Sequence, residues 1–194
     1  MNNYLSKSKS IFQDNFFFKL KQEKICNECK IEHKQYSYHC ALEIRISKQI
    51  SKIITLNDLL NIKMLEKTAC MDNIDEKNRK KGCNKLITVK KTIKQCPNFL
   101  IIIIDTDKKY NYNFQIEKII NLKDIKDYIQ GGNKLELVSF IFGKSLYCKD
   151  QNKNWHKYKG KICTTDNTIE KILNIDQLVI PEIPELLIYK KIKS

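Results

Sequence analysis

Apolar side chains recur at every second position in two stretches of the chain, which predicts strands with one buried face. Residues 85–94 alternate in this way until Cys96 and Pro97 interrupt the pattern. The run HCALEIRI does the same earlier in the chain and places four side chains on one face, namely Cys40, Leu42, Ile44 and Ile46.

A third apolar stretch, residues 99–104, is continuous and β-branched, which is typical of a strand covered on both faces. Shorter strand patterns follow it, and turn-forming residues at 131–133 and 151–154 separate some of them. These further predicted strands cover residues 118–122, 136–142, 145–149, 155–158 and 186–190.

Helical signals are few. Residues 55–60 predict a short amphipathic helix with Thr55 or Asn57 as its N-cap, and residues 168–173 predict another brief one. Residues 8–21 alternate basic and aromatic side chains and are expected to form a strand or edge segment leading into Cys26. Residues 71–82 are charged and predict a solvated loop.

These elements together predict an α+β fold that is mostly antiparallel β, with few short helices. The chain has 194 residues, which suits one compact domain, or one domain with an extension. Only 5 glycines and 3 prolines occur, and 42% of the residues are hydrophobic, so collagen-like and disordered classes are excluded.

The net charge of +14 raises the possibility of a nucleic-acid partner. Nearly all of the positive charge is lysine, however, and Arg45 and Arg79 are the only arginines. Because proteins that bind phosphates and bases favour the planar fork of arginine, we attribute most of the charge to coding bias.

No membrane or export segment is expected. The longest apolar run, residues 99–104, is far shorter than the about 20 residues that span a bilayer. No hydrophobic segment followed by a cleavage site begins the chain. We therefore expect an intracellular protein, cytoplasmic or nuclear, with 8 cysteines that serve as thiols or metal ligands rather than disulfides.

Cys26 and Cys29 form a C-x2-C knuckle, whose spacing lets two sulfurs face one tetrahedral metal ion. Cys70 and Cys83 are the best second pair, because the entropic cost of a long loop between ligands grows slowly. We predict a structural Zn²⁺ site at these four residues, with a degenerate, metal-free remnant as the competing interpretation. One ligand could instead be supplied by His33, His39 or Cys40.

Cys40 and Cys96 lie in strand-like patterns, and we expect both to be small buried hydrophobic residues. Cys148 and Cys163 lie in predicted strands or at their edges, with no histidine expected nearby. A buried thiol of this kind stays protonated and inert. His156 alternates with Trp155 on one strand and is expected to be a surface residue.

In order and spacing, several segments resemble the ubiquitin-specific protease domain, the papain-like deubiquitinases built from fingers, palm and thumb. The resemblance covers about residues 8–191. It is carried by SIFQ (10–13), CNEC (26–29), ALEIRI (41–46), LNDLL (56–60), Cys70 with Cys83, CPNFLIIII (96–104), KIINLKDIKDYI (118–129), LELVSFIF (135–142), YCKDQNKNWHKY (147–158) and PELLIYKK (184–191).

The resemblance implies one incomplete domain over residues 1–194. Residues 8–95 would form a zinc-ribbon-like fingers extension with adjoining palm strands, and residues 96–191 would form the palm sheet. The thumb, which carries the family's nucleophilic cysteine, is expected to be absent.

The catalytic residues of the family are also missing from the region that is present. The family's histidine belongs to a turn that corresponds to residues 142–146, which contain no histidine. Its acid or amide follows the strand at 155–158, where this chain has Lys159 and Gly160. We therefore assign no catalytic residue.

Three hypotheses for function follow. The first is a catalytically silent domain that binds ubiquitin or another protein. The second is an amino-terminally truncated fragment of an enzyme that hydrolyses ubiquitin isopeptide bonds. The third is a basic nucleic-acid-associated module, which has little support without exposed aromatic side chains among the lysines. Binding to basic ubiquitin would need acids such as Glu117, Asp124, Asp127 or Glu136 to cluster.

Overall fold

Strands dominate the chain. The computed structural model describes residues 10–29, 31–46, 53–70, 83, 85–107, 113–125, 127–130, 134–165, 177–180 and 183–192. The elements within them are α1 (Ile11–Phe16), β1 (Phe18–Cys26), β2 (Ile31–His39), β3 (Leu42–Ile46), α2 (Leu56–Met64), β4 (Leu65–Ala69), β5 (Leu86–Ile93), β6 (Phe99–Thr106), β7 (Phe114–Glu117), β8 (Ile119–Asn121), β9 (Lys134–Phe142), β10 (Ser145–Lys149), β11 (Trp155–Lys159), β12 (Ile162–Thr165), β13 (Gln177–Ile180) and β14 (Leu186–Lys191).

The strands form two main sheets. A four-stranded antiparallel sheet has the order β2-β1-β5-β4, and an eight-stranded sheet has the order β12-β11-β10-β9-β14-β6-β3, with β8 also paired to β9. In the larger sheet β3 and β6 run parallel, while the other pairs are antiparallel. A short pair, β7 and β13, completes the set. The predicted α+β class with mostly antiparallel strands is confirmed.

The core lies on one face of the eight-stranded sheet. On β6 the buried residues are Leu100, Ile102 and Ile104. Ile103, on the opposite face of the same strand, is 38% exposed, so the expectation that residues 99–104 are covered on both faces is wrong. A strand in a mostly antiparallel sheet commonly buries only one face fully, and β6 does so although residues 99–104 are all apolar; Phe99 and Ile101 on its other face are half-buried.

Helix α2 joins the two sheets, because it contacts β3 as well as β4 and β5. Its core-facing residues are Leu56, Leu59, Leu60 and Met64. Thr55 caps the helix: its Oγ1 accepts from the Asp58 N–H at 3.2 Å, and Asp58 Oδ2 accepts from the Thr55 N–H at 3.0 Å. The predicted helix and its Thr55 cap are confirmed.

Helix α1 was not expected, since residues 8–21 were predicted to be extended. Ser10 and Gln13 form a capping box, and Phe12 stacks on Phe16 one turn later with ring centroids 4.8 Å apart. These local interactions favour a helix over the predicted strand. The strand predicted to reach Cys26 begins only at Phe18.

Most of the other predicted elements are confirmed, namely β3, β5, β6, β8, β9, β10, β11 and β14. Five strands were not predicted, namely β2, β4, β7, β12 and β13. The predicted loop at 71–82, the turn at 131–133 and the helix at 168–173 lie outside the described residues.

Replacing the α2 cap, Thr55→Ala, is expected to lower the free energy of unfolding by about 1 kcal/mol, because a buried helix loses a hydrogen-bonded N-terminus. Urea denaturation followed by circular dichroism measures this change. Ser10→Ala is the matched control: it removes the same motif from α1, which buries no residue and can fray without global unfolding. Equal decreases in the free energy of unfolding in both variants would contradict the assignment of α2 to the core.

Candidate functional site

The four cysteines predicted to bind metal lie at one end of the four-stranded sheet. Cys26 is the last residue of β1, and Cys29 lies in the turn before β2. Cys70 directly follows β4, and its N–H donates to the carbonyl of Lys85, just before β5. Because β1 and β5 are antiparallel neighbours, the end of β1 lies beside the start of β5, where Cys83 is found.

The four sulfur atoms form a compact group in which every pair lies within 4.8 Å. Cys26 Sγ is 3.5 Å from Cys83 Sγ, and Cys29 Sγ is 3.9 Å from Cys70 Sγ. In a tetrahedral thiolate site with metal–sulfur bonds of about 2.3 Å, sulfurs are about 3.8 Å apart. The donor set and its dimensions therefore fit a metal ion of this kind.

The knuckle polarises one of its sulfurs. The backbone N–H of Cys29, assisted by the neighbouring thiols and by the N–H of Glu28, lowers the pKa of Cys26 to about 7. Hydrogen bonding with Cys83, together with burial, raises the pKa of Cys29 to about 12. Without a cation, ionisation of one thiol disfavours ionisation of the three beside it, because neighbouring thiolates repel one another. A divalent ion would stabilise all four thiolates.

The three alternative ligands do not join this group. The cluster of metal-ligating side chains among the described residues contains the four cysteines alone. His39 stacks on Phe18 at 5.9 Å, and its Nε2 lies 2.8 Å from Ser37 Oγ. Cys40 lies in the bend between β2 and β3 and is exposed, so the expectation that it is buried is wrong. Cys96 is buried, as expected.

An apolar groove lies beside the cysteine end. It has a volume of about 650 Å³, and three of its lining residues are exposed hydrophobic side chains: Ile25 (53%), Leu65 (40%) and Leu86 (68%). Charged residues Glu28 and Lys85 also line it, and their side chains pair at 2.8 Å. Exposed apolar side chains grouped in a groove with a polar rim are typical of a surface that receives a partner.

Two turns meet at one end of the eight-stranded sheet. Gly143 and Lys144 form the turn between β9 and β10, both with positive φ (54° and 65°). Lys159 ends β11, next to the turn that leads into β12. Since Leu146 pairs with Tyr158, Lys144 and Lys159 lie at the same end of neighbouring strands, and both are exposed.

The outer face of this sheet holds a second chemical cluster, which the sequence analysis missed. Cys148 on β10 lies directly opposite His156 on β11, and His156 Nε2 is 3.0 Å from Asp150 Oδ2. The expectation that Cys148 has no histidine nearby is therefore wrong, and neither Cys148 nor Cys163 is fully buried. A signal was present in the sequence: when the predicted strands at 145–149 and 155–158 pair as a hairpin that closes at residues 149 and 155, Cys148 lies opposite His156.

The acidic residues considered for ubiquitin binding are only partly clustered. Glu136 binds Lys149 at 2.5 Å, and Asp127 lies 3.9 Å from Lys90 Nζ. Burial, with a smaller contribution from the charge of Asp124, raises the pKa of Glu117. Glu117 and Asp124 therefore lie close enough for their charges to interact.

Exposed aromatic rings do accompany the lysines, contrary to expectation. Tyr36 (49% exposed) and Tyr38 (69%) share one face of the edge strand β2. The ammonium group of Lys19 lies 4.3 Å from the Tyr36 ring centroid. Two other lysines near these rings pair with carboxylates, Lys21 with Glu23 and Lys34 with Glu32.

Comparison with solved structures defines the fold class: the chain has a ubiquitin-specific-protease-like fold. The Ubp8-Sgf11-Sgf73-Sus1 SAGA DUB module matches with a TM-score of 0.67 and 14% identity, over 100% of this chain and 44% of the solved chain. A yeast SAGA DUB module with a mutant Sgf73 matches with a TM-score of 0.69 and 16% identity, over 97% and 44%. A SAGA DUB module bound to monoubiquitin matches with a TM-score of 0.66 and 15% identity, over 96% and 43%.

The chain thus spans less than half the length of the solved chains that it matches. No protein-family model and no curated protein matches the sequence. Among the described residues no helix is long and apolar enough to cross a membrane. At this level of identity the likeness defines the fold but not the activity.

Proposed function

We propose that this chain is a catalytically silent ubiquitin-specific-protease-like domain that binds ubiquitin or another protein partner. The observation that carries the proposal is the pair of turn positions at Lys144 and Lys159. By the family resemblance, these regions would hold the catalytic histidine and the residue that orients it. Two exposed lysines supply neither a general base at neutral pH nor a carboxylate or amide acceptor, so a thiol could not be activated there.

The same proposal assigns the parts of the domain. Residues 8–95 form the fingers and adjoining palm strands, and residues 96–191 form the palm sheet. Cys26, Cys29, Cys70 and Cys83 hold a structural Zn²⁺ ion. The support for zinc is the closed set of four thiols with tetrahedral dimensions, since such a set leaves no position for substrate or water.

Partner binding is supported by an apolar groove, by acidic residues on the surface and by one similar solved structure. The apolar groove at Ile25, Leu65 and Leu86 would bury hydrophobic surface in a complex. The exposed carboxylate of Asp124, which lies near the half-buried Glu117, offers negative charge to the basic surface of ubiquitin, although the chain as a whole is basic. One solved neighbour with this fold is a module bound to monoubiquitin.

Nucleic-acid binding is a second candidate, favoured specifically by Tyr36 and Tyr38 on β2. Aromatic rings beside lysines form stacking platforms for single strands. We rank this function below protein binding, because Lys21 and Lys34 already pair with carboxylates on the same face. A labelled oligonucleotide that binds with affinity falling steeply as salt increases would reverse this ranking.

Ubiquitin with a carboxy-terminal electrophile is expected to form no adduct with the protein, because no thiol lies beside a base at the two turns. Mass spectrometry of the mixture gives the result, with an active deubiquitinase as the positive control. An adduct that disappears in Cys148→Ser or Cys163→Ser would overturn catalytic silence. Such an adduct would favour the hypothesis of an enzyme fragment.

The purified protein is expected to contain one zinc ion per chain by elemental analysis. Cys29→Ser should abolish stoichiometric zinc after dialysis and lower the melting temperature, because structural zinc binding contributes to folding free energy. Cys163→Ser is the matched control, since it removes an exposed thiol outside the cluster and should retain the metal. Zinc-free wild-type protein would favour the metal-free remnant instead.

Ubiquitin titrated into the labelled protein is expected to shift a defined set of NMR resonances, at both low and moderate salt. Asp124→Asn should weaken binding by about twofold to fivefold, because it removes the exposed negative charge proposed to meet the basic surface of ubiquitin. Asp105→Asn makes the same change in net charge at an exposed residue that pairs with Arg45, and it should leave the affinity unchanged. Equal effects of the two variants would mean that only net charge matters.

A further inference from the structure

The outer face of the β10–β11 hairpin brings together a thiol and an imidazole. Tyr147 and Trp155 are buried on the inner face, so their chain neighbours Cys148 and His156 point to the other side, where both are partly exposed. Directly opposed residues on antiparallel strands have Cβ atoms about 4.5–5.5 Å apart. Cys148 therefore has His156 as its immediate cross-strand neighbour.

The contact with Asp150 fixes the state of the imidazole ring. An ionised carboxylate only accepts hydrogen bonds, so the hydrogen between the two groups resides on Nε2 of His156, 3.0 Å from Asp150 Oδ2. Whenever the ring is neutral, Nδ1 is then the nitrogen with a free lone pair. The hydrogen bond from His156, followed by that from the Asn154 N–H, lowers the pKa of Asp150 and keeps it ionised.

The turn of the hairpin holds the carboxylate in place. The Asn154 N–H donates to Asp150 Oδ1 at 2.8 Å, and the Asn154 side chain donates to Oδ2 at 3.3 Å. On the other side of Cys148, its β9 neighbour Ser139 donates its hydroxyl hydrogen to the carbonyl of Tyr147 at 2.8 Å. The strand register therefore places a thiol beside an imidazole that a carboxylate orients, and these are the three groups from which activated thiol nucleophiles are built.

We propose that Cys148 is a site of thiol–disulfide exchange with low-molecular-weight disulfides, with His156 accepting the thiol proton and Asp150 positioning His156. The reagent must be small, because the thiol is partly buried between the side chains of the two neighbouring strands. This site is independent of the proposed ubiquitin binding and of the four-cysteine cluster, which lies on the other sheet.

The exchange conserves electrons and needs no other oxidant. Nδ1 of His156 takes the proton of Cys148, and the thiolate attacks one sulfur of the small disulfide. The disulfide bond of the reagent breaks while a new one joins Cys148 to half of the reagent. The other half leaves as a thiolate and receives the proton from His156, so one disulfide is consumed and one is formed.

With the small disulfide in excess, the mixed disulfide should accumulate, because Cys163 on the same face lies too far away to resolve it. Cys163 also lies on this face. It belongs to β12, two strands from Cys148, and pairs with Tyr158 of β11. Strands are about 4.8 Å apart, so the two cysteines are separated by about 10 Å or more, beyond the reach of a disulfide bond. Cys163 is more exposed than Cys148 and has tyrosine rather than histidine opposite it, which makes it an internal control.

The test treats the full chain with glutathione disulfide at pH 7 and measures the adduct on each cysteine-containing peptide by mass spectrometry over time. We expect Cys148 to react about tenfold faster than Cys163 despite its lower exposure, because thiolate formation rather than access limits the rate. His156→Gln should reduce the rate at Cys148 to that at Cys163 or below. The rate at Cys163 should stay the same in that variant.

Asn152→Ala, at an exposed position in the turn of the same hairpin, is the control variant and should leave the rate at Cys148 unchanged. Faster reaction of Cys163 than of Cys148 in the wild-type chain would overturn the proposal, and this comparison requires no variant to fold. An unchanged Cys148 rate in folded His156→Gln would overturn the role of the imidazole. Asp150→Asn, with an expected reduction of about threefold, tests the positioning role separately.

Discussion

Burial of a single face is the constraint on which the eight-stranded sheet depends. Phe140 stacks on Tyr147 at 4.7 Å and meets Trp155 edge-on at 5.6 Å, so three neighbouring strands share one aromatic cluster in the core. A register shift of one residue would expose such rings, at a cost of about 1.5–3 kcal/mol for each large side chain. The same register places Cys148 opposite His156 on the outer face. Packing on the inner face of the sheet therefore determines which side chains are neighbours on its outer face.

The four-stranded sheet lacks such a constraint along much of its length. Strand β1 buries Phe18 and Leu20 and then no further side chain until Cys26, and residues 32–39 of β2 bury none. The hydrogen-bonded ladders of β1 continue there, but apolar burial contributes little. The four thiols are placed where this sheet is least stabilised by a core. A bound cation would supply at that end the free energy that hydrophobic contacts supply elsewhere, which gives the proposed zinc site a structural purpose.

The sequence predicts elements well where burial imposes a period, and poorly where it does not. The strands at Leu42–Ile46 and Leu86–Ile93, and the helix capped by Thr55, follow from local patterns. Strand β2 was missed because a strand exposed on both faces has no hydrophobic period. The spacing of the cysteines was enough to predict that these four lie together, since a C-x2-C knuckle with a second cysteine pair is typical of a metal site. The pairing of Cys148 with His156 was missed although the strands predicted at 145–149 and 155–158 imply it, because the turn of a hairpin sets which residues of its two strands face each other.

The turn at Gly143 and Lys144 restricts the backbone more than it restricts the side chains. Both residues have positive φ, and no atom lies within 4 Å of where a Cβ on Gly143 would be. The turn therefore constrains the backbone dihedral angles, whereas no neighbouring atom restricts the space around it. The exposed ammonium of Lys144 costs the sheet little, because its charge stays in solvent. The backbone shared with solved deubiquitinase modules consequently carries no information about whether a base is present, and only the residues at the turns do.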